Sequence, residues 1–152
     1  MSPMENTPRE KHEEIKRSIM EDKLSVLKPT LSIRIAPDTP VKDVIQSMVD
    51  KKIGAVLIVE SDHLVGIFSE RDVLKRVAAR YQEVADLPIR DFMTRNPESL
   101  SINHTLAFTL NRMDVGGYRH IPVTDDQNYP TGIVAARDIL RYLDQKCLGG
   151  PE

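Results

Sequence analysis

Residues 66 to 74 read GIFSERDVL and residues 132 to 140 read GIVAARDIL. The two stretches begin 66 residues apart and keep Gly, Ile, Arg, Asp and Leu in register, while Ser69 gives way to Ala135. A duplication of this kind restricts the fold before any other feature does, because one supersecondary unit has to be built twice. Units of about 60 residues bury too little surface to be stable alone, so the pair is expected to share a core.

The repeat extends outward over most of the chain. In the first copy Thr39-Pro40 opens a helix, with Pro40 expected at its first position. Val41, Val44, Ile45, Met48 and Val49 follow at the spacing of one apolar helical stripe. Residues 53 to 59, IGAVLIV, are short and β-branched and predict a buried strand. A turn at Ser61-Asp62-His63, a strand LVGIF, and a helix from Ser69 with Val73, Leu74 and Val77 complete the unit.

The second copy repeats the order. Leu106, Leu110 and Met113 mark a helix, and residues 118 to 124 (YRHIPVT) a strand. TGIVA makes the next strand, and Ile139, Leu140 and Leu143 the closing helix. Short strands precede each first helix, LSIRI (31 to 35) and ESLSI (98 to 102). The expected class is α+β: two β-α-β-β-α units, residues 28–81 and 93–147, joined by a linker at 82–92. Residues 1–27 form an N-terminal helical arm in which Thr7-Pro8-Arg9-Glu10 is a capping-box start. Ile15, Ile19 and Met20 are expected on one apolar face of it, for packing or dimerisation.

Bulk properties narrow the function. A net charge of −2 offers no basic field to a nucleic-acid backbone or an anionic membrane. No run of about 18 apolar residues occurs and the N-terminus carries no apolar signal region, so a cytoplasmic chain is expected. Cys147 is the single cysteine and sits in an apolar helical pattern, which predicts a small buried side chain. The four histidines fall at no metal-ligand spacing, and neither G-x-x-x-x-G-K-[ST] nor G-x-G-x-x-G is present. Without a nucleophile, base and orienter in adjacent motifs, an enzyme is not supported.

The repeated motif is satisfied in part by structure alone. Ser69 and Asp72 have the S-x-x-D spacing of a capping box, but Ala135 has no hydroxyl, so only Asp138 remains at the second helix start. Arg71 and Arg137 put a cation beside a helix N-terminus, where the macrodipole disfavours it unless an anion docks there. An arginine turned into solvent is the alternative. Arg119-His120 then interrupts the second buried strand where the first copy has Gly54-Ala55. Neighbouring strand residues face opposite sides, so one of the two emerges on each face. Arginine forks onto phosphate and histidine is a weaker, pH-dependent donor.

These residues resemble a tandem pair of cystathionine-β-synthase-type domains, or CBS domains, over roughly residues 28 to 145. The resemblance implies two units packed sheet to sheet about a pseudo-twofold axis, with two clefts between them, and frequent dimerisation. It implies an adenosine-containing ligand: AMP, ADP, ATP, S-adenosylmethionine or NAD(H). No cofactor is required. Carried over, Asp72 and Asp138 accept the ribose hydroxyls and Ser69 faces phosphate in the first cleft, with Arg71 beside it. Met93, Thr94 and Asn96 would close the Asp72 cleft. Thr30 and neighbours of Ile33 would close the Asp138 cleft, with Arg119, His120 and Arg137 on its phosphate side. Because Ala135 departs from the motif, the clefts are expected to differ, the Asp138 cleft preferring the more charged ligand. With no effector domain in view, an unknown partner protein would receive the signal. The rival reading is a ligand-free dimerisation scaffold or regulatory subunit.

Overall fold

In the computed structural model the described residues are 5–31 and 33–150. The first four residues of the arm and Ser32 of the first expected strand lie outside them. The chain opens on α1 (Pro8–Glu21), capped as its sequence predicts: the Glu10 amide donates to Thr7 Oγ1 at 3.2 Å and the Thr7 amide to Glu10 Oε2 at 2.7 Å. The first unit then runs β1 (Arg34–Ile35), α2 (Val41–Lys51), β2 (Ala55–Glu60), β3 (His63–Ser69) and the helical start α3 (Glu70–Asp72). After α3 the helix widens over Val73–Val77 and tightens over Ala78–Arg80 before α4 (Tyr81–Val84). The second unit has β4 (Thr94–Arg95), α5 (Leu106–Gly116), β5 (His120–Thr124), β6 (Pro130–Ala135) and α6 (Ala136–Cys147).

Two sheets result, β1-β2-β3-β4 and β5-β6. The alternation of β2 places Val56 and Ile58 in the first core, while Ala55 and Leu57 join Leu64 and Ile67 in a cluster that reaches Ile133 of β6. That cluster joins the two units about their pseudo-twofold relation.

Each unit's own core is closed by the segment that precedes the other unit. Val84, Ile89 and Phe92, in the segment expected as a linker, are buried with Val41, Val44 and Phe68 of the first unit. Leu24, in the segment expected as an arm, is buried with Leu106, Ile121 and Ile139 of the second, and Ile15, Ile19 and Leu27 pack against them. Backbone bonds match on both sides: Val41 N to Leu87 O at 2.9 Å, and Leu106 N to Asp22 O at 2.8 Å. Fully burying a large aliphatic side chain is worth about 1.5–3 kcal/mol, so these crossed segments hold the pair together.

Several expectations are corrected. Pro40 lies in extended conformation (φ −60°, ψ 142°) as the cap of α2, one residue before the helix. Val49, Leu74, Leu140 and Met20 are exposed; they flank the buried stripes on the outward faces. The strand expected at 98 to 102 shrinks to a single bridge between Leu100 and Val123. Leu100 donates to Pro122 O and accepts from Thr124 N, so the next ladder bond would need an N–H on Pro122, which proline lacks. Among the described residues of the strand expected at 31 to 35, Arg34 and Ile35 pair with β2. Cys147 is buried, as its surroundings predict.

Candidate nucleotide-binding clefts

The two helix starts are built alike. The Glu70 amide donates to Gly54 O at 3.0 Å, and the Ala136 amide to Arg119 O at 2.9 Å. Asp72 then accepts the Ser69 amide at 2.9 Å, and Asp138 the Ala135 amide at 2.7 Å. The aspartates of the motif therefore brace their own helices first, and what differs is the rest of each carboxylate's surroundings.

Asp72 is occupied from within. The Ser69 hydroxyl donates to it at 3.2 Å and the Thr94 hydroxyl at 3.4 Å, while Arg76 Nε lies 3.7 Å away. Thr94 arrives because β4 pairs antiparallel with β3, setting Ile67 opposite Thr94 and Gly66 opposite Arg95. A side chain at Gly66 would run into the Met93 thioether, so glycine here lets Met93 pack close to the strand. Arg76 is in turn held by the carbonyls of Phe92 and Met93 at 3.1 and 2.8 Å. The carboxylate is left with 8% of its residue exposed. Asn96 sits just beyond, in left-handed conformation (φ 46°), with its amide on Val65 O.

Asp138 is differently placed. Pro29 stands where Thr94 does, backbone against Gly132, and Tyr142 stands where Arg76 does, four residues after the aspartate. Among the described residues the second sheet has no counterpart of β4, and Pro29 has no N–H with which to extend it. The Tyr142 hydroxyl turns away to Asp22 Oδ2 at 2.7 Å. Asp138 thus remains half-buried on the wall of a cavity of about 200 Å³ lined by Leu27, Pro29, Ile133, Arg141 and Tyr142. The corresponding cavity in the first unit, about 450 Å³, is lined by Lys75, Arg76, Arg80, Asp91 and Phe92.

The remaining candidates divide between the two clefts. Arg119 is exposed and His120 half-buried, the alternation their strand demands. Burial holds the His120 imidazole below its ordinary pKa; Glu70 and Asp138 push it back up, and Arg137 and Arg119 add to the lowering. His120 pairs with Ala135 across β5 and β6 and the Arg119 carbonyl holds the Ala136 amide, so Arg119, His120, Arg137 and Asp138 meet at one helix start. Arg137 is exposed at the start of α6, and Thr30 is exposed beside Pro29. Ile33 packs against the first unit's core. Arg71 does not turn toward Asp72's partners but donates to the Gly117 carbonyl in the second unit.

Sequence reasoning missed Glu70, Pro29, Tyr142 and Arg76. The last two carry a readable signal, since a residue four after the motif aspartate shares its helical face. Pro29 and Glu70 could be found only through packing between units.

The family model for the CBS domain matches twice, over residues 17–79 and 89–145. The chain belongs to the CBS domain family. Its first match begins inside α1, in keeping with the arm's packing as part of the repeat. The CBS domain-containing protein CBSCBSPB1 of Arabidopsis thaliana is 30% identical over 111 residues, which cover 73% of this chain and 20% of that protein. The chain thus spans about a fifth of that relative's length. The crystal structure of the CBS-domain containing protein ATU1752 from Agrobacterium tumefaciens superposes with a TM-score of 0.70 at 28% identity, over 78% of this chain and 94% of that one. CBSX2, crystallised in complex with AMP, gives 0.69 at 21% identity, over 82% and 97%, a likeness of fold. No helix among the described residues is long and apolar enough to cross a membrane.

Proposed function

We propose that this CBS pair is a regulatory binding module, not an enzyme, that takes an adenosine-containing ligand in the cleft at Asp138 and passes the signal to a partner protein. The units 28–81 and 93–147 act together, each stabilised by the segment preceding the other. One observation carries the reading: Asp138 lies half-buried on a cavity wall with Arg137, Arg119 and His120 grouped nearby, while its counterpart Asp72 is engaged by Thr94 and Arg76. A carboxylate acceptor suits two vicinal ribose hydroxyls, and arginines suit phosphate. Apolar Leu27, Pro29 and Ile133 offer a surface for adenine. The AMP complex of the structurally similar CBSX2 supports an adenine nucleotide as ligand. ADP, ATP, S-adenosylmethionine and NAD(H) belong to the same class.

A homodimer belongs to this reading. Leu74 and Leu140 are exposed at matching places in the two motifs, 75% and 65%, and Val49 and Val115 are 65% exposed on α2 and α5. Apolar positions repeated in this way favour a second copy as their cover. The same observation favours the second reading, a dimerisation scaffold without ligand.

The deciding experiment is a thermal-shift screen of AMP, ADP, ATP, NADH and S-adenosylmethionine on the wild type, Asp72→Asn and Asp138→Asn. At a hundred times its Kd a ligand adds about 2.7 kcal/mol. A shift lost in Asp138→Asn and kept in Asp72→Asn is the expected result. Silence across the panel from a folded dimer would establish the scaffold instead.

A further inference from the structure

Glu70 follows Ser69 at the first unit's helix start, yet it faces the second unit. A methyl group added to Gly54 would lie 3.2 Å from Glu70 Oε1 and 3.2 Å from His120 Nε2, so one glycine separates the two side chains. The Glu70 amide is fixed to the Gly54 carbonyl at 3.0 Å, which holds its carboxylate on this side. The matching helix start in the second unit carries Ala136, with its amide on Arg119 O. An acid is therefore present on one side of the pseudo-twofold relation only, and it is turned toward His120, which stands beside the helix start that carries Arg137 and Asp138.

We infer that Glu70 is a specificity-determining residue of the Asp138 cleft, a fixed negative charge that limits how much negative charge a ligand carries beyond its ribose. The inference rests on the ligand reading above and revises the expectation that this cleft prefers the more charged ligand. Arg119 and Arg137 supply two positive charges beside the ring, and Arg141 a third on the cavity wall. Glu70 and Asp138 supply two negative ones, and burial disfavours the charged form of the imidazole. A cleft left with this small positive excess accommodates one phosphate against the arginines. Each further phosphate meets Glu70 at a separation where unit charges still repel through water. The preferred class is a nucleoside monophosphate over a triphosphate.

The test is calorimetric titration of the full chain with adenosine, AMP and ATP, for wild type, Glu70→Gln and the remote control Glu13→Gln. Glu70→Gln is expected to tighten ATP about tenfold and AMP about threefold while leaving adenosine unchanged, from loss of one repulsion per added charge. Glu13→Gln is expected to leave all three unchanged. Equal tightening of all three ligands, or an unchanged ATP-to-AMP ratio, would overturn the inference and leave the ligand reading standing. No binding of any of the three by the wild type would overturn both. NMR titration of ligand-free protein supplies a separate check: Glu70→Gln should lower the His120 pKa, because a neighbouring negative charge is removed. An unmoved His120 would show that Glu70 does not act there, and would sink the proposal.

Discussion

The Arg71 guanidinium donates to the carbonyl of Gly117, joining the helix start beside Asp72 to the turn that leads into Arg119 and His120. Gly117 caps α5 in left-handed conformation (φ 69°), and its carbonyl is held by a side chain from the other unit. The two clefts are therefore connected through the residue next to one aspartate and the residues beside the other cleft's cations.

Removing that connection should loosen the pair without touching either carboxylate. Arg71→Ala is expected to cost about 1 kcal/mol, the scale of one hydrogen bond from an exposed charged donor. Urea denaturation reads this directly. An unchanged midpoint would mean that the contact contributes nothing in solution.

The two motif glycines should differ in what they tolerate. An alanine methyl at Gly66 meets the Met93 thioether, a flexible group that can swing aside. At Gly132 it meets the Pro29 backbone, with the carbonyl carbon at 2.9 Å and the oxygen at 3.0 Å. Gly132→Ala is expected to cost about 2–3 kcal/mol and Gly66→Ala about 1 kcal/mol less, on the usual scale of overpacking. Because Pro29 lines the Asp138 cavity, Gly132→Ala should also weaken nucleotide binding. Thermal melts with and without ligand check both, and equal losses would contradict the geometry.

Much of the fold was open to reading because the motif occurs twice. Period-2 and period-3.6 patterns placed α2, β2, β3, α5, β5 and α6 within a few residues. The crossed segments were not legible, because Leu24 and Phe92 carry no local sign of which core they enter. Neither was the short strand at Leu100, where Pro122 decides the outcome from across the ladder. At the site, Asp72 and Asp138 stood out by repetition. Their different fates depend on Thr94 against Pro29, residues whose equivalence appears only once β4 has paired with β3.

The tie between α1 and α6 gives a prediction in acid. Burial pushes the Asp22 carboxyl up, but hydrogen bonds from Lys146, Tyr142 and Ser18 outweigh it and hold the pKa below its ordinary value of 3.8. Lys146 Nζ lies 2.9 Å from Asp22 and 2.8 Å from the buried Ser18 hydroxyl. A depressed folded-state pKa contributes stability that is present above the unfolded value and lost as pH falls through the folded one. Wild type should therefore lose stability below pH 3.8 faster than Asp22→Asn does. At pH 7 Asp22→Asn should cost about 1–2 kcal/mol. Parallel urea curves for the two proteins from pH 7 downward would refute the assignment.

At the alkaline end the sign reverses. Tyr118 donates to Glu98, which is also held by Arg112 at 3.2 Å through Nη2. Burial, with the Glu98 charge beside it, pushes the Tyr118 hydroxyl up to about 12. A group with a raised folded-state pKa stabilises fully below its unfolded value, here 10, and that contribution disappears as pH rises through the folded value. Between pH 10 and about 12 the unfolded chain gives up this proton while the folded one keeps it, so stability should fall across that window. Lysines titrate there too, so the informative quantity is the difference between wild type and Tyr118→Phe. The variant loses the hydrogen bond to Glu98 and should be weaker at pH 8, yet decline less steeply above pH 10. Because Tyr118 immediately precedes Arg119 and His120, a matching decline in nucleotide affinity of the variant would show that this half-buried tyrosine also positions the cleft's cations. Unchanged affinity with altered stability would confine it to the packing of α5 against β5.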